Sequence, residues 1–175
     1  MFIPGIAITI VTFPGVIVHE LAHQLFCRLF KVPVFEVVYF RVANPAGYVL
    51  HEKARTSTQA IFISTGPFIL NTLIGFLIAL PAAIQFNMNA ADGLDYILLY
   101  LGISIAMHAF PSTGDAKSLW QSVVKDSNSS FLSKVIVTPI VGFIYLGALG
   151  SMFWLDLIYG IGVAVAFPWL LVSLL

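Results

Sequence analysis

Apolar runs long enough to cross a lipid bilayer recur along this 175-residue chain, and they constrain its fold more than any other feature. About 20 apolar residues cover the hydrocarbon core as a helix. No water satisfies backbone N–H and C=O groups there, so a spanning segment must bond internally. Five stretches meet or approach the required length: residues 2–30, 61–86, 94–110, 131–149 and 153–175. Only 9% of the residues are charged and 59% are hydrophobic, against roughly one quarter charged in soluble domains. The expected fold is an all-α polytopic membrane protein of about five transmembrane helices, forming a single membrane domain over 1–175. No internal repeat or low-complexity tract interrupts it.

The charges set an expected topology. All eight Lys and Arg residues fall in two places. Arg28, Lys31, Arg41, Lys53 and Arg55 lie at or after the end of the first span, and Lys117, Lys125 and Lys134 flank the connection between the third and fourth. The remaining two connections carry only acids, Asp92 and Asp95 in one and Asp156 in the other. The positive-inside rule then puts the N-terminus outside, both basic connections in the cytoplasm and the C-terminus in the cytoplasm, with the cell membrane as the expected location. A formal net charge of zero offers no bulk field for nucleic acid. Met1–Thr12 carries no cation and no small-residue cleavage site follows, so the first segment reads as a retained span. The single cysteine, Cys27, excludes an intrachain disulfide.

Two connections show further pattern. After the first span, VFEVVYF is β-branched and aromatic, ANPAG supplies turn chemistry and YVLH resumes an extended pattern, which predicts a small β-hairpin at about 34–51. GDAKSLWQSVVKD, later on, predicts a short amphipathic helix before the polar turn DSNSS. Glycines of the last two spans (Gly142, Gly147, Gly150, Gly160, Gly162) suit packing within or between chains, and the oligomeric state stays open.

Within the first span stands His19-Glu20-Leu21-Ala22-His23. Ionisable residues inside a membrane helix are expensive and mark function by default. On a helix, i and i+4 share a face one turn apart, so His19 and His23 offer two imidazole nitrogens to one cation. Glu20 projects alongside, where it can hold a water and accept its proton. Catalytic zinc needs a third protein ligand and an open position. His108, Asp115, Asp156 and Cys27 are the nearby candidates. With a rise of 1.5 Å per residue, His19 lies about 25 Å from the outer end of its span. Asp156 is expected on the outer side, whereas His108 and Asp115 flank the inner end of the third span. That depth ranks Asp115 first and His108 second. Cys27 reads better as a small core residue. Glu36 and Glu52, the other glutamates, lie in the hairpin region and rank low. Gly66-Pro67 with Asn71 one turn on reads, taken alone, as a packing kink with a satisfied amide.

Three segments together resemble the site-2 protease family of intramembrane zinc metalloproteases, as a minimal and divergent member. HELAH matches its HExxH helix, STGPFILN (Ser64–Asn71) resembles its Gly-Pro-x-x-x-Asn element, and HAFPSTGDA (His108–Ala116) is similar to its Asn-x-x-Pro element followed by Leu-Asp-Gly. His108 stands where that family has Asn, and Gly114-Asp115-Ala116 replaces Leu-Asp-Gly. The resemblance spans residues 10–120 and implies a three-helix catalytic core. It implies Zn²⁺ held by His19, His23 and Asp115, Glu20 as general base, and Asn71 near the substrate strand or oxyanion. His108 is then implied as a substrate or alternative metal contact.

The expected function is hydrolysis of peptide bonds in a transmembrane protein substrate, within or beside the bilayer and toward the cytoplasmic face. A non-proteolytic zinc protein that sequesters a partner's transmembrane helix is the competing expectation. A structural site, however, has no use for Glu20 and is usually closed by four protein ligands.

Overall fold

A computed structural model describes residues 5–174, so residues 2–4 of the first apolar stretch and Leu175 of the last lie outside the described residues. The first stretch is two helices, α1 (Gly5–Val11) and α2 (Phe13–Leu29), separated at Thr12. Pro14, lacking an N–H, sits in the first turn of α2, where that donor is dispensable. The helix thus restarts just before HELAH. A Thr56–Gln59 capping box opens α3 (Ser57–Asn87), which runs through Pro67 and Pro81. Asp92 and Asp95 cap α4 (Gly93–Met107) in the same way. Pro111 bars helical continuation, and α4 gives way to a turn and then α5 (Thr113–Leu119). A π-helical stretch, Trp120–Val124, extends α5. Then come α6 (Phe131–Gly150), a 3₁₀ turn at Ser151–Phe153, α7 (Leu155–Ile161), a π-helical stretch at Gly162–Ala166 and α8 (Phe167–Ser173).

Among the described residues, three helical runs are long and apolar enough to cross a membrane: Ser57–Asn87, Phe131–Phe153 and Leu155–Ser173. They mark a membrane protein, mostly helical, with a small antiparallel hairpin. The expected first and third spans are shorter as helices, with 17 residues in α2 and 15 in α4.

The last two apolar runs do not fold back on each other as alternating spans would. Val137 and Val141 share a core cluster with Ala60 near the start of α3. Phe143 meets Phe68 at 5.8 Å, Tyr159 meets Phe68 and hydrogen-bonds Thr72, and Phe167 meets Phe76. Contacts therefore advance along α3 in one direction, first with α6 and then with α7 and α8. The two runs touch at the corner where a Cβ on Gly150 would lie 2.3 Å from the Leu155 side chain. Both runs therefore pack with the same sense along α3. Hydropathy sets the length of a segment and says nothing of the sense in which it packs. Gly147 and Gly160 pack within the chain, against Phe110 and Met107, while Gly142 and Gly162 face open space.

The predicted hairpin is present as β1 (Val34–Val38) and β2 (Tyr48–His51). Their register pairs Val38 with Tyr48 and Val34 with His51, with an irregularity between Val34 and Glu36. Val34 packs on the Cys27–Val32–Ile63 cluster at the end of α2, and Phe40 near the tip stacks on Phe13 at its start. The hairpin thus lies along the whole length of α2 and walls the face that carries HELAH.

Candidate metal centre

On α2, His19 and His23 share a face as their spacing predicts, and each ring is fixed from behind. The His23 Nδ1–H donates to the Ile63 carbonyl at 2.8 Å. In an unbroken helix that carbonyl would accept from residue 67, but Pro67 has no N–H. The His19 Nδ1–H donates to the His108 carbonyl at 2.7 Å, at the end of α4 where the helix stops before Pro111. A carbonyl only accepts, so each Nδ1 carries a proton and each ring turns its Nε2 toward the other. The two Nε2 atoms lie 3.2 Å apart, close enough for one cation to bridge them.

Asp115 completes the cluster. Its Oδ1 lies 3.4 Å from His23 Nε2, and one donor atom from each of His19, His23 and Asp115 falls within 4.8 Å of the others. Zinc bonds of about 2.0–2.1 Å at tetrahedral angles place donor atoms about 3.3–3.4 Å apart, close to the 3.2 Å between the two Nε2 atoms and the 3.4 Å from His23 Nε2 to Asp115 Oδ1. The Asp115 carboxylate is held by the helix start it belongs to. Ser112 N–H and Oγ–H donate to Oδ2 at 2.7 and 2.6 Å, and Asp115 N–H donates back to Ser112 Oγ at 3.2 Å. This capping box leaves Oδ1 to face the histidines. Burial opposes ionisation of Asp115, but the adjacent His23 holds its carboxyl below the usual carboxylate range, so it faces the histidines as a carboxylate.

These groups open onto a cavity of about 960 Å³. Glu20, buried on α2, lines it beside the two histidines. The hairpin forms the opposite wall and comes so close that a Cβ on Gly47 would lie 2.7 Å from Glu20 Cγ and 2.9 Å from its Oε1. Only glycine fits there. His108 also lines the cavity. Its Nδ1–H donates to Ser104 O at 2.9 Å, which leaves Nε2 free, and the ring stands outside the three-residue cluster. Of the two third-ligand candidates, Asp115 is the one brought to the histidines.

Asn71 sits elsewhere. It is fully buried between helices, and its Nδ2 lies 3.2 Å from Gly15 O, 3.1 Å from Ile105 O and 3.3 Å from His108 O. It ties α2, α3 and α4 together and touches the same carbonyl that orients His19. Cys27, one turn beyond His23, is buried in an apolar cluster, as a core residue. A Cβ on Gly15 would come within 1.9 Å of Ser104 O, so α2 and α4 meet there through glycine. Sequence reasoning passed over Ser112, whose S-x-x-D spacing is a readable capping signal, and Gly47, whose neighbour is visible only in three dimensions. It also placed Asp156 on the outer side, whereas Asp156 lines this cavity.

Residues 11–129 match the model of the DUF3267 family, described as "Putative zincin peptidase". The matched span takes in α2, the hairpin, α3, α4 and α5, and ends before α6. No curated protein and no solved structure matches the chain.

Proposed function

The chain belongs to the DUF3267 family of zinc-peptidase type, and from that premise we propose that it is an intramembrane zinc endopeptidase of the site-2 protease kind. The observation that carries this reading is the convergence of the two Nε2 atoms and the Asp115 carboxylate beside Glu20, in a cavity walled by apolar helices. Zinc held by these three side chains would polarise a scissile carbonyl and bring a water's pKa toward neutrality. Glu20 then accepts the proton of the attacking water and returns it to the leaving amine. His108, with its free Nε2 facing the cavity, hydrogen-bonds substrate or the developing oxyanion. Asn71 acts through His19 and the helix crossing, without touching substrate.

The hairpin supports a way of holding a membrane-protein substrate. Among the described residues β2 has a single strand neighbour, and its residues Tyr48–His51, with Gly47 before them, line the cavity beside Glu20. A transmembrane substrate must unwind before its carbonyls are free, and an extended stretch laid along β2 would regain those backbone bonds. Lys53, Arg55, Lys117 and Lys125 cluster toward the end of the molecule where α3 begins and α5 ends, which supports a cytoplasmic mouth. In that orientation the Ser173 end of α8 lies toward the outer face.

The test is cleavage of denatured casein and of a panel of single-span membrane proteins by the zinc-loaded protein in proteoliposomes. Glu20→Gln serves as the inactive control. Cleavage by the wild type and none by the variant is expected. Equal product from both would sink the peptidase reading.

A further inference from the structure

Asp156 has a place in this cavity that hydrolysis alone does not use. Part of its role is local: Oδ1 accepts the Leu157 N–H at 2.9 Å in the first turn of α7. That accounts for one interaction of one oxygen. No Lys or Arg forms an ion pair with the carboxylate among the described residues, although its charge acts on the neighbouring His108 imidazole. An acid bordering a site at this depth in an apolar bundle is costly unless something compensates it.

The cavity is also electrically polarised along β2. Lys53 lies at the hairpin base, and Gly47 stands beside Glu20. Beyond Gly47 the hairpin tip borders a second hollow of about 400 Å³ that Asp156 shares with Arg41, Ala43, Asn44 and His108. Arg41 is turned to its own hairpin there. Its Nε–H donates to Pro45 O at 2.9 Å, and its guanidinium lies 4.9 Å over the Tyr48 ring. Arg41 thus borders the hollow without forming an ion pair with Asp156.

We propose that Asp156 forms a specificity subsite for a Lys or Arg side chain of the substrate, a few residues from the scissile bond on the hairpin-tip side. The inference rests on the peptidase reading above. An extended segment along β2 would carry its backbone past Glu20 and the metal ligands and deliver an adjacent side chain into the hollow. A cation there meets a carboxylate, and charge complementarity discriminates between partners.

Peptide hydroxamates test this without requiring turnover, because the hydroxamate anchors on zinc. A series carrying Lys, norleucine or Glu at each of the three positions next to the hydroxamate, built in both chain directions, is titrated calorimetrically onto zinc-loaded, detergent-purified protein. At one position the Lys compound should bind about tenfold tighter than the norleucine compound, with Glu weakest. Asp156→Asn should remove that preference, and Asp156→Lys should reverse it toward Glu, both at unchanged zinc content. Binding of all members without side-chain preference, or a Lys preference that survives both variants, overturns the subsite while leaving the peptidase reading intact. Failure of every hydroxamate to bind the zinc-loaded protein would overturn both.

Discussion

The two walls of the cavity are built on opposite principles. On the helical wall every metal-facing atom is fixed from behind: His23 through Ile63 O, His19 through His108 O, and Asp115 through Ser112. Such outer contacts set ring tautomer and orientation before a metal arrives. The facing wall is a two-stranded hairpin whose outer edges no other strand pairs among the described residues, and Gly47 on it lies against Glu20. Helices there supply rigid donors, while the hairpin supplies backbone groups and space. On the proposed function, metal chemistry belongs to one wall and substrate handling to the other.

That division can be broken by variants that separate zinc content from turnover. Glu20→Gln sits on the helical wall but outside the ligand set. It should lower kcat by about 10²–10⁴-fold with zinc retained, by mass spectrometry of the same preparation. Gly47→Ala alters only the hairpin wall. Its methyl would press on Glu20, and a displacement of about 1 Å is enough for about a 100-fold loss of activity, again with zinc intact. Loss of zinc in Gly47→Ala would contradict the division. Ser112→Ala acts on the other side: zinc affinity, measured by competition with a chelator, should fall about 10–100-fold. Unchanged affinity would mean that Asp115 needs no support from its cap. The smallest effect is expected from Pro67→Ala, which restores an N–H able to compete with His23 for Ile63 O. Zinc affinity should weaken by less than about tenfold, and no change would show that the His23 tautomer is set by other contacts.

What was legible in the sequence followed how local each feature is. HELAH declares itself because i and i+4 share a helix face whatever the rest of the chain does, and its setting in an apolar run gives it weight. The hairpin was readable from β-branched residues around ANPAG. Asp115 was half legible, since its depth followed from span counting while its aim depends on the Ser112 cap. The course of α6 and α7 was not legible, because two long apolar runs joined by a short turn look identical whether they fold back or continue along α3. Asp156 was misplaced for the same reason. Asn71 matched a motif, but its three carbonyl partners on two other helices are a tertiary fact that no spacing encodes.

Metal content by mass spectrometry, on zinc-loaded and desalted protein in detergent, tests the central claim most directly. The wild type and His108→Ala should each hold about one zinc per chain, and His23→Ala and Asp115→Ala should hold almost none. Zinc that survives Asp115→Ala and vanishes with His108→Ala, or a wild type that retains no zinc, would contradict the metal centre drawn from His19, His23 and Asp115.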